Sequence, residues 1–184
     1  LPKMNKQTVV NWFNEHKSEN FGLATPTKQR LLLFIDEFTN YNDSHIGTTT
    51  IKLLNRLGIR VLVFTSGQSG RSYISKGLLR KARKYARENV SAFRGLVTEE
   101  RPLIGTEPSA ILGFRDEYPD LVGDCMKNDA KELAGNALLI EEYLVKLNQE
   151  GRIDKKITGD CLNDVLDKLP AVGVDQHLAA VAIA

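Results

Sequence analysis

Cysteine is scarce in this sequence. Its 184 residues include two, Cys125 and Cys161, 36 positions apart and without a CxxC pair. Cysteines so separated signal neither a zinc knuckle nor a disulfide framework, and they fit a reduced, cytoplasmic setting. Each lies near a helical pattern with no histidine close by in sequence, so both read as packed thiols rather than nucleophiles. Histidine is equally thin. His16, His45 and His177 are scattered, and His45, the one near a strand end, reads as a solvent-facing residue. No catalytic residue and no metal set is therefore assigned. Apolar runs stay well short of the ~18–20 residues that span a bilayer. Leu1-Pro2-Lys3-Met4 lacks the apolar core of a signal peptide, so no transmembrane segment is expected. An excess of one charge is missing too: 25 Lys and Arg against 23 Asp and Glu leave +2, which calls for no nucleic-acid partner. Leu1 stands where methionine would open a complete chain, which predicts a piece of a longer protein.

What is there alternates between apolar runs and helical periodicity. Residues 6–17 hold Val9, Val10, Trp12 and Phe13 among polar neighbours after Thr8, predicting a short capped helix. Residues 18–29, with Gly22, Pro26 and flanking threonines, read as a linker. Residues 30–35 carry Leu31, Leu32, Leu33, Phe34 and Ile35 in succession, as a parallel strand covered on both faces does. Asp36 and Glu37 follow at once, at the carboxyl end where α/β sheets place ligands. In an extended chain the two point to opposite faces and form no close dyad, which leaves one free to cap the next loop. Residues 44–58 predict a helix stopped by Gly58, and residues 59–64 a second strand.

After a glycine-rich turn, residues 72–97 read as one long helix. Its face of Lys76, Arg80, Lys81, Arg83, Lys84 and Arg87 opposes Ile74, Leu78, Leu79, Ala82, Tyr85 and Ala86. The basic face reads as solvated surface, with docking to an acidic partner as the sharper alternative. Residues 102–105 form a third strand ending at Thr106 and Glu107. Thr106 then starts a helix with Pro108 in its first turn, broken at Glu117-Tyr118-Pro119-Asp120. Further helices are expected over 124–133 and 136–148, with a weaker one over 162–169. The order predicts an α/β domain, a three-layer, mostly parallel sheet flanked by helices, over 30–151. An N-terminal helix and linker (1–29) precede it and a C-terminal extension (152–184) follows.

The turn Ser66-Gly67-Gln68-Ser69-Gly70-Arg71-Ser72 is the candidate site, because a strand feeding a glycine-rich turn into a helix start exposes backbone N–H groups. The Walker spacing is absent. The dinucleotide fingerprint fails as well, since Gly67 and Gly70 stand three apart with no third glycine in register. Two readings stay open. Gly67, Gly70, Arg71 and Ser72 form either an anion or domain-contact loop, with a phosphate or nucleotide as ligand, or a structural turn whose glycines supply positive φ. Asp36, Glu37 and Glu107 are the accompanying strand-end positions.

Three segments taken in order carry a resemblance. They are Phe34-Ile35-Asp36-Glu37-Phe38-Thr39-Asn40-Tyr41, Gly70-Arg71-Ser72-Tyr73-Ile74-Ser75-Lys76-Gly77-Leu78-Leu79, and Gly105-Thr106-Glu107-Pro108-Ser109-Ala110-Ile111-Leu112 with Phe114-Arg115-Asp116-Glu117-Tyr118-Pro119-Asp120-Leu121. Over about residues 31–151 the chain resembles the cysteine-rich domain of FAD-linked oxidase and iron–sulfur oxidoreductase fusion proteins. That group is similar to the iron–sulfur subunits of glycolate oxidase, anaerobic glycerol-3-phosphate dehydrogenase and lactate-utilisation complexes. The resemblance implies a Rossmann-like repeat inside a parent enzyme that oxidises a 2-hydroxy acid. FAD and iron–sulfur clusters are then the parent's cofactors, and a second cysteine-rich repeat, a flavin domain and ferredoxin-like domains are the partners within one chain. In that family Cys-Cys-Gly follows the second strand and another cysteine follows the third. Here those places read Gln68-Ser69-Gly70 and Ala110, and the end of the first strand reads Asp36-Glu37. Iron–sulfur clusters need thiolates. The resemblance therefore implies a degenerate, structural electron-transfer module that binds no cofactor itself.

Overall fold

The computed structural model describes residues 4–17, 29–64 and 68–152. Gly67, Cys161, His177, most of the linker read over 18–29 and the helix read over 162–169 lie outside the described residues. Four strands, β1 (Arg30–Phe34), β2 (Arg60–Phe64), β3 (Leu103–Gly105) and β4 (Ala137–Leu139), pair in parallel in the order β2-β1-β3-β4. The unbroken apolar run of β1 is explained by its central place. Leu31 and Leu33, with Ile35 just beyond, enter one core, while Leu32 and Phe34 enter the other. Helices α1 (Val9–Glu15), α3 (Ser44–Arg56) and α9 (Ile140–Gln149) cover the first face. The second is covered by α5 (Leu79–Phe93) and by a helical stretch running from α6 (Pro108–Leu112) through α7 (Tyr118–Leu121) to α8 (Lys127–Gly135). The result is the expected three-layer α/β arrangement. Val9 and Phe13 of α1 are buried in the first core, so the N-terminal helix packs with the sheet. No helix among the described residues is long and apolar enough to cross a membrane.

Several local expectations are corrected. The helix read over 72–97 is two, α4 (Arg71–Ser75) and α5, separated by Gly77 at φ 68°, a conformation that glycine adopts without strain. The break turns Leu78 and Leu79 outward, 46% and 53% exposed, where continuous periodicity would have buried them. The helix read over 136–148 yields its first residues to β4, because Ala137, Leu138 and Leu139 add to the free edge of β3 before α9 begins. Pro119 does not end the preceding helix. A π-helical turn, Gly113–Glu117, lets the Tyr118 N–H reach back to the Gly113 carbonyl, and the chain winds on into α7 past a residue with no N–H to give. Glu107, not Thr106, caps α6: its carboxylate accepts from the Ser109 N–H at 3.3 Å and the Ser109 hydroxyl at 2.7 Å. Cys125 is exposed rather than packed, in the 3-10 turn Asp124–Met126.

Candidate functional site

Chain connectivity sends β1 to β2 on one side and places β3 on the other, so the topological switch point lies between β1 and β3. Open parallel sheets bind ligands outside the carboxyl ends of their strands at such a point. Here the switch point is bridged by the chain itself. Asp36, 2% exposed, caps α2 (Glu37–Tyr41): its Oδ1 accepts the N–H groups of Phe38 at 2.7 Å and Thr39 at 3.1 Å. Its Oδ2 accepts the Thr39 hydroxyl at 2.5 Å, and Thr39 Oγ1 lies 3.2 Å from Thr106 Oγ1 at the end of β3. Burial pushes the Asp36 carboxyl above its usual range, the hydrogen bonds from Thr39 and Phe38 oppose that, and the Glu107 charge adds to it. Asp36, extended at φ −71° and ψ 171°, is thus the cap that the sequence allowed, and Glu37 opens the helix beyond it.

Glu37 reaches across to the loop after β2. One carboxylate oxygen accepts the Ser69 hydroxyl at 3.0 Å and the other the Ser69 N–H at 3.2 Å. Ser69 Oγ in turn accepts the Arg71 N–H at 3.3 Å. From the opposite side the Tyr118 hydroxyl donates to the Ser69 carbonyl at 2.8 Å. The Asn89 side-chain amide donates to the Gln68 carbonyl at 2.9 Å and to the Tyr118 oxygen at 2.7 Å. Ser69, Asn89 and Tyr118 are all buried. Burial holds the Tyr118 hydroxyl well above its ordinary range, so it stays a protonated donor. Among the described residues, the loop is therefore pinned from α2, α5 and α7 at once, through the Gln68 carbonyl and the N–H, hydroxyl and carbonyl of Ser69.

Gly70 opens α4 at φ 72°, and an added Cβ would meet Tyr85 Cβ at 3.2 Å, so glycine is required there on two counts. Arg71 is exposed and Ser72 half-buried. Of the positions singled out from the sequence, Glu37 comes together with the Ser69-Gly70-Arg71 loop, while Asp36 and Glu107 sit at the neighbouring ends of β1 and β3. Asn89, Tyr118 and Thr39 escape sequence reading. Asn89 had one signal, an amide on the otherwise apolar stripe of Ala82, Ala86, Val90 and Phe93. Tyr118 had none, since Pro119 beside it reads as a break.

The described residues at the positions that the resemblance gives to cluster ligands do not fit an iron–sulfur cluster. Among the described residues no three His, Cys, Asp or Glu side chains are grouped to hold a metal ion. Ser69 is hydrogen-bonded to Glu37, Ala110 offers no donor atom, and the exposed Cys125 stands on a separate turn.

No family model matches the chain, and no solved structure matches it significantly. Curated proteins do. The chain is 24% identical over 160 residues to the D-2-hydroxyglutarate dehydrogenase of Pantoea ananatis, covering 83% of this chain and 15% of that protein. It is 29% identical over 154 residues to one of the subunits of the anaerobic glycerol-3-phosphate dehydrogenase of Escherichia coli K12, covering 83% of this chain and 37% of that polypeptide. The D-2-hydroxyglutarate dehydrogenase of Escherichia coli K12 is 25% identical over 151 residues, 78% of this chain and 14% of its own length. The chain thus spans well under half the length of these relatives, and most of it is similar to a part of each of these larger dehydrogenases.

Proposed function

We infer that this chain is a segment of a multidomain, FAD-linked iron–sulfur oxidoreductase acting on a 2-hydroxy acid, and that within it the segment is a structural electron-transfer repeat without a cluster of its own. The observation that carries the reading is the match to two differently named dehydrogenases, each covering 83% of this chain. One of those names specifies a 2-hydroxy acid as substrate. The structural role rests on chemistry. Where the resembled family has its Cys-Cys-Gly, Ser69 donates both its N–H and its hydroxyl to Glu37. The residue where a cluster ligand is expected is thus a serine engaged by a carboxylate. The same contact disfavours a phosphate or nucleotide on this loop, because a second anion would meet Glu37 across a partly buried, low-dielectric gap.

The test is to isolate the native gene product that contains this segment, record its mass and flavin absorbance, and assay dye reduction with D-2-hydroxyglutarate and lactate. A larger flavoprotein reduced by a 2-hydroxy acid is expected. A product without flavin, or one inert to 2-hydroxy acids, overturns the assignment.

A further inference from the structure

The outward face of α4 and α5 holds the most one-sided charge in the sequence. Seven Lys and Arg stand between positions 71 and 93, at 71, 76, 80, 81, 83, 84 and 87, against the single acid Glu88. All seven are exposed. Among the described residues the ion pair on this face is Lys84 with Glu88, at 3.8 Å and well exposed on both sides. Arg80 with Lys84 and Arg83 with Arg87 are like charges one helical turn apart, which repel. Arg80 and Lys81 also sit in the first turn of α5, where the helix dipole disfavours cations and neither an acidic residue nor a side-chain cap offsets them. The fold therefore carries an electrostatic cost here that an acidic surface would relieve.

The chemistry of the patch narrows what that surface is. The apolar stripe of α5, Ala82, Ala86, Val90 and Phe93, is buried in the core, so no apolar helix face is free to enter a membrane. Tyr73 and Tyr85 stack on each other with centroids 5.3 Å apart, and Lys81 and Lys84 lie over their rings at 5.6 Å and 6.0 Å, so no open ring awaits a nucleobase. Leu78 and Leu79 stay about half exposed at the Gly77 turn. Cations flanking two exposed leucines suit a protein surface that is acidic around an apolar anchor.

We propose that the α4–α5 face is a docking surface for an acidic protein surface whose apolar anchor covers Leu78 and Leu79. This rests on the proposed function, in which the segment works packed against other protein domains. The test uses the 184-residue chain and a fluorescent amphipathic peptide of about 20 residues, glutamates on one face and leucines along its edge, followed by anisotropy. Saturable binding is expected, weakened about tenfold by Arg80→Glu with Lys84→Glu, about threefold by Leu78→Ser with Leu79→Ser, and by added salt. The charge-reversed protein should keep its circular dichroism, because Arg80 and Lys84 are both exposed and an acid at position 80, in the first turn of α5, favours the helix dipole. Equal binding by both variants overturns the proposal. So does equal binding of a peptide with serines in place of leucines, or a preference for an RNA duplex or phosphatidylserine vesicles over the peptide. None of these outcomes touches the oxidoreductase assignment, which stands or falls on flavin and substrate.

Discussion

At Asp36 two demands meet in one side chain. The carboxylate caps α2 with two backbone N–H groups and one hydroxyl, yet it is almost wholly buried, and burial wins: its pKa in the fold lies above the ordinary 3.8. A carboxyl raised in this way favours its protonated form in the folded state. Stability therefore falls as pH rises from 3.8 through the folded value and levels off above it. Asp36→Asn keeps an oxygen for the cap and removes the ionisation, and asparagine caps helices as well as aspartate does. Urea midpoints recorded from acid to neutral pH should show a flatter profile for the variant across that window. An unchanged profile would mean that another group titrates there. Tyr118 illustrates the neutral counterpart. Tyr118→Phe strips a donor from the Ser69 carbonyl and an acceptor from Asn89, both buried, and should cost about 1–3 kcal/mol in chemical denaturation. A loss below about half a kcal/mol would mean that water replaces the hydroxyl.

At the scale of elements, β3 is short but tightly held. A Cβ on Gly105 would lie 2.5 Å from two atoms of the fully buried Ile111, so the strand end and α6 are in direct contact through a missing side chain. Gly105→Ala should destabilise by about 1–3 kcal/mol through overpacking, read as a lower urea midpoint. Ile111→Val in the same chain should recover part of that loss; no recovery would place the strain in the backbone instead. These elements differ in how far the sequence revealed them. β1 and β2 were legible as apolar runs too short for a helix, and α3 because its apolar residues recur at helical spacing. β4 was not, since Ala137-Leu138-Leu139 runs directly into Ile140-Glu141-Glu142-Tyr143 with no turn residue between, and pairing with β3 alone decides the boundary. Gly77 was visible as a residue but not as a break, since an isolated glycine inside a helical pattern is often tolerated.

For the whole molecule, the parallel sheet gathers the ends of β1, β2 and β3 along one edge, and there the chain turns its polar groups on itself. Glu37 with Ser69, Asp36 with Thr39, and Thr39 with Thr106 bridge the positions where related α/β sheets open a crevice. The sequence carried the ingredients of this edge, Asp36, Glu37, Gly70 and Glu107, because charge and glycine after an apolar strand are local signals. It did not carry their pairing, since Glu37 and Ser69 stand 32 residues apart and meet only once β1 and β2 align in register. A fold retained with its ligand positions filled by hydrogen-bonded serine and by alanine is the central claim, and iron is its most direct measure. The chain, purified anaerobically and reconstituted with iron, sulfide and thiol, should return iron and sulfide far below one per chain and show no charge-transfer absorption in the visible range. Stoichiometric iron and sulfide with a visible cluster spectrum, lost on Ser69→Ala, would contradict the claim.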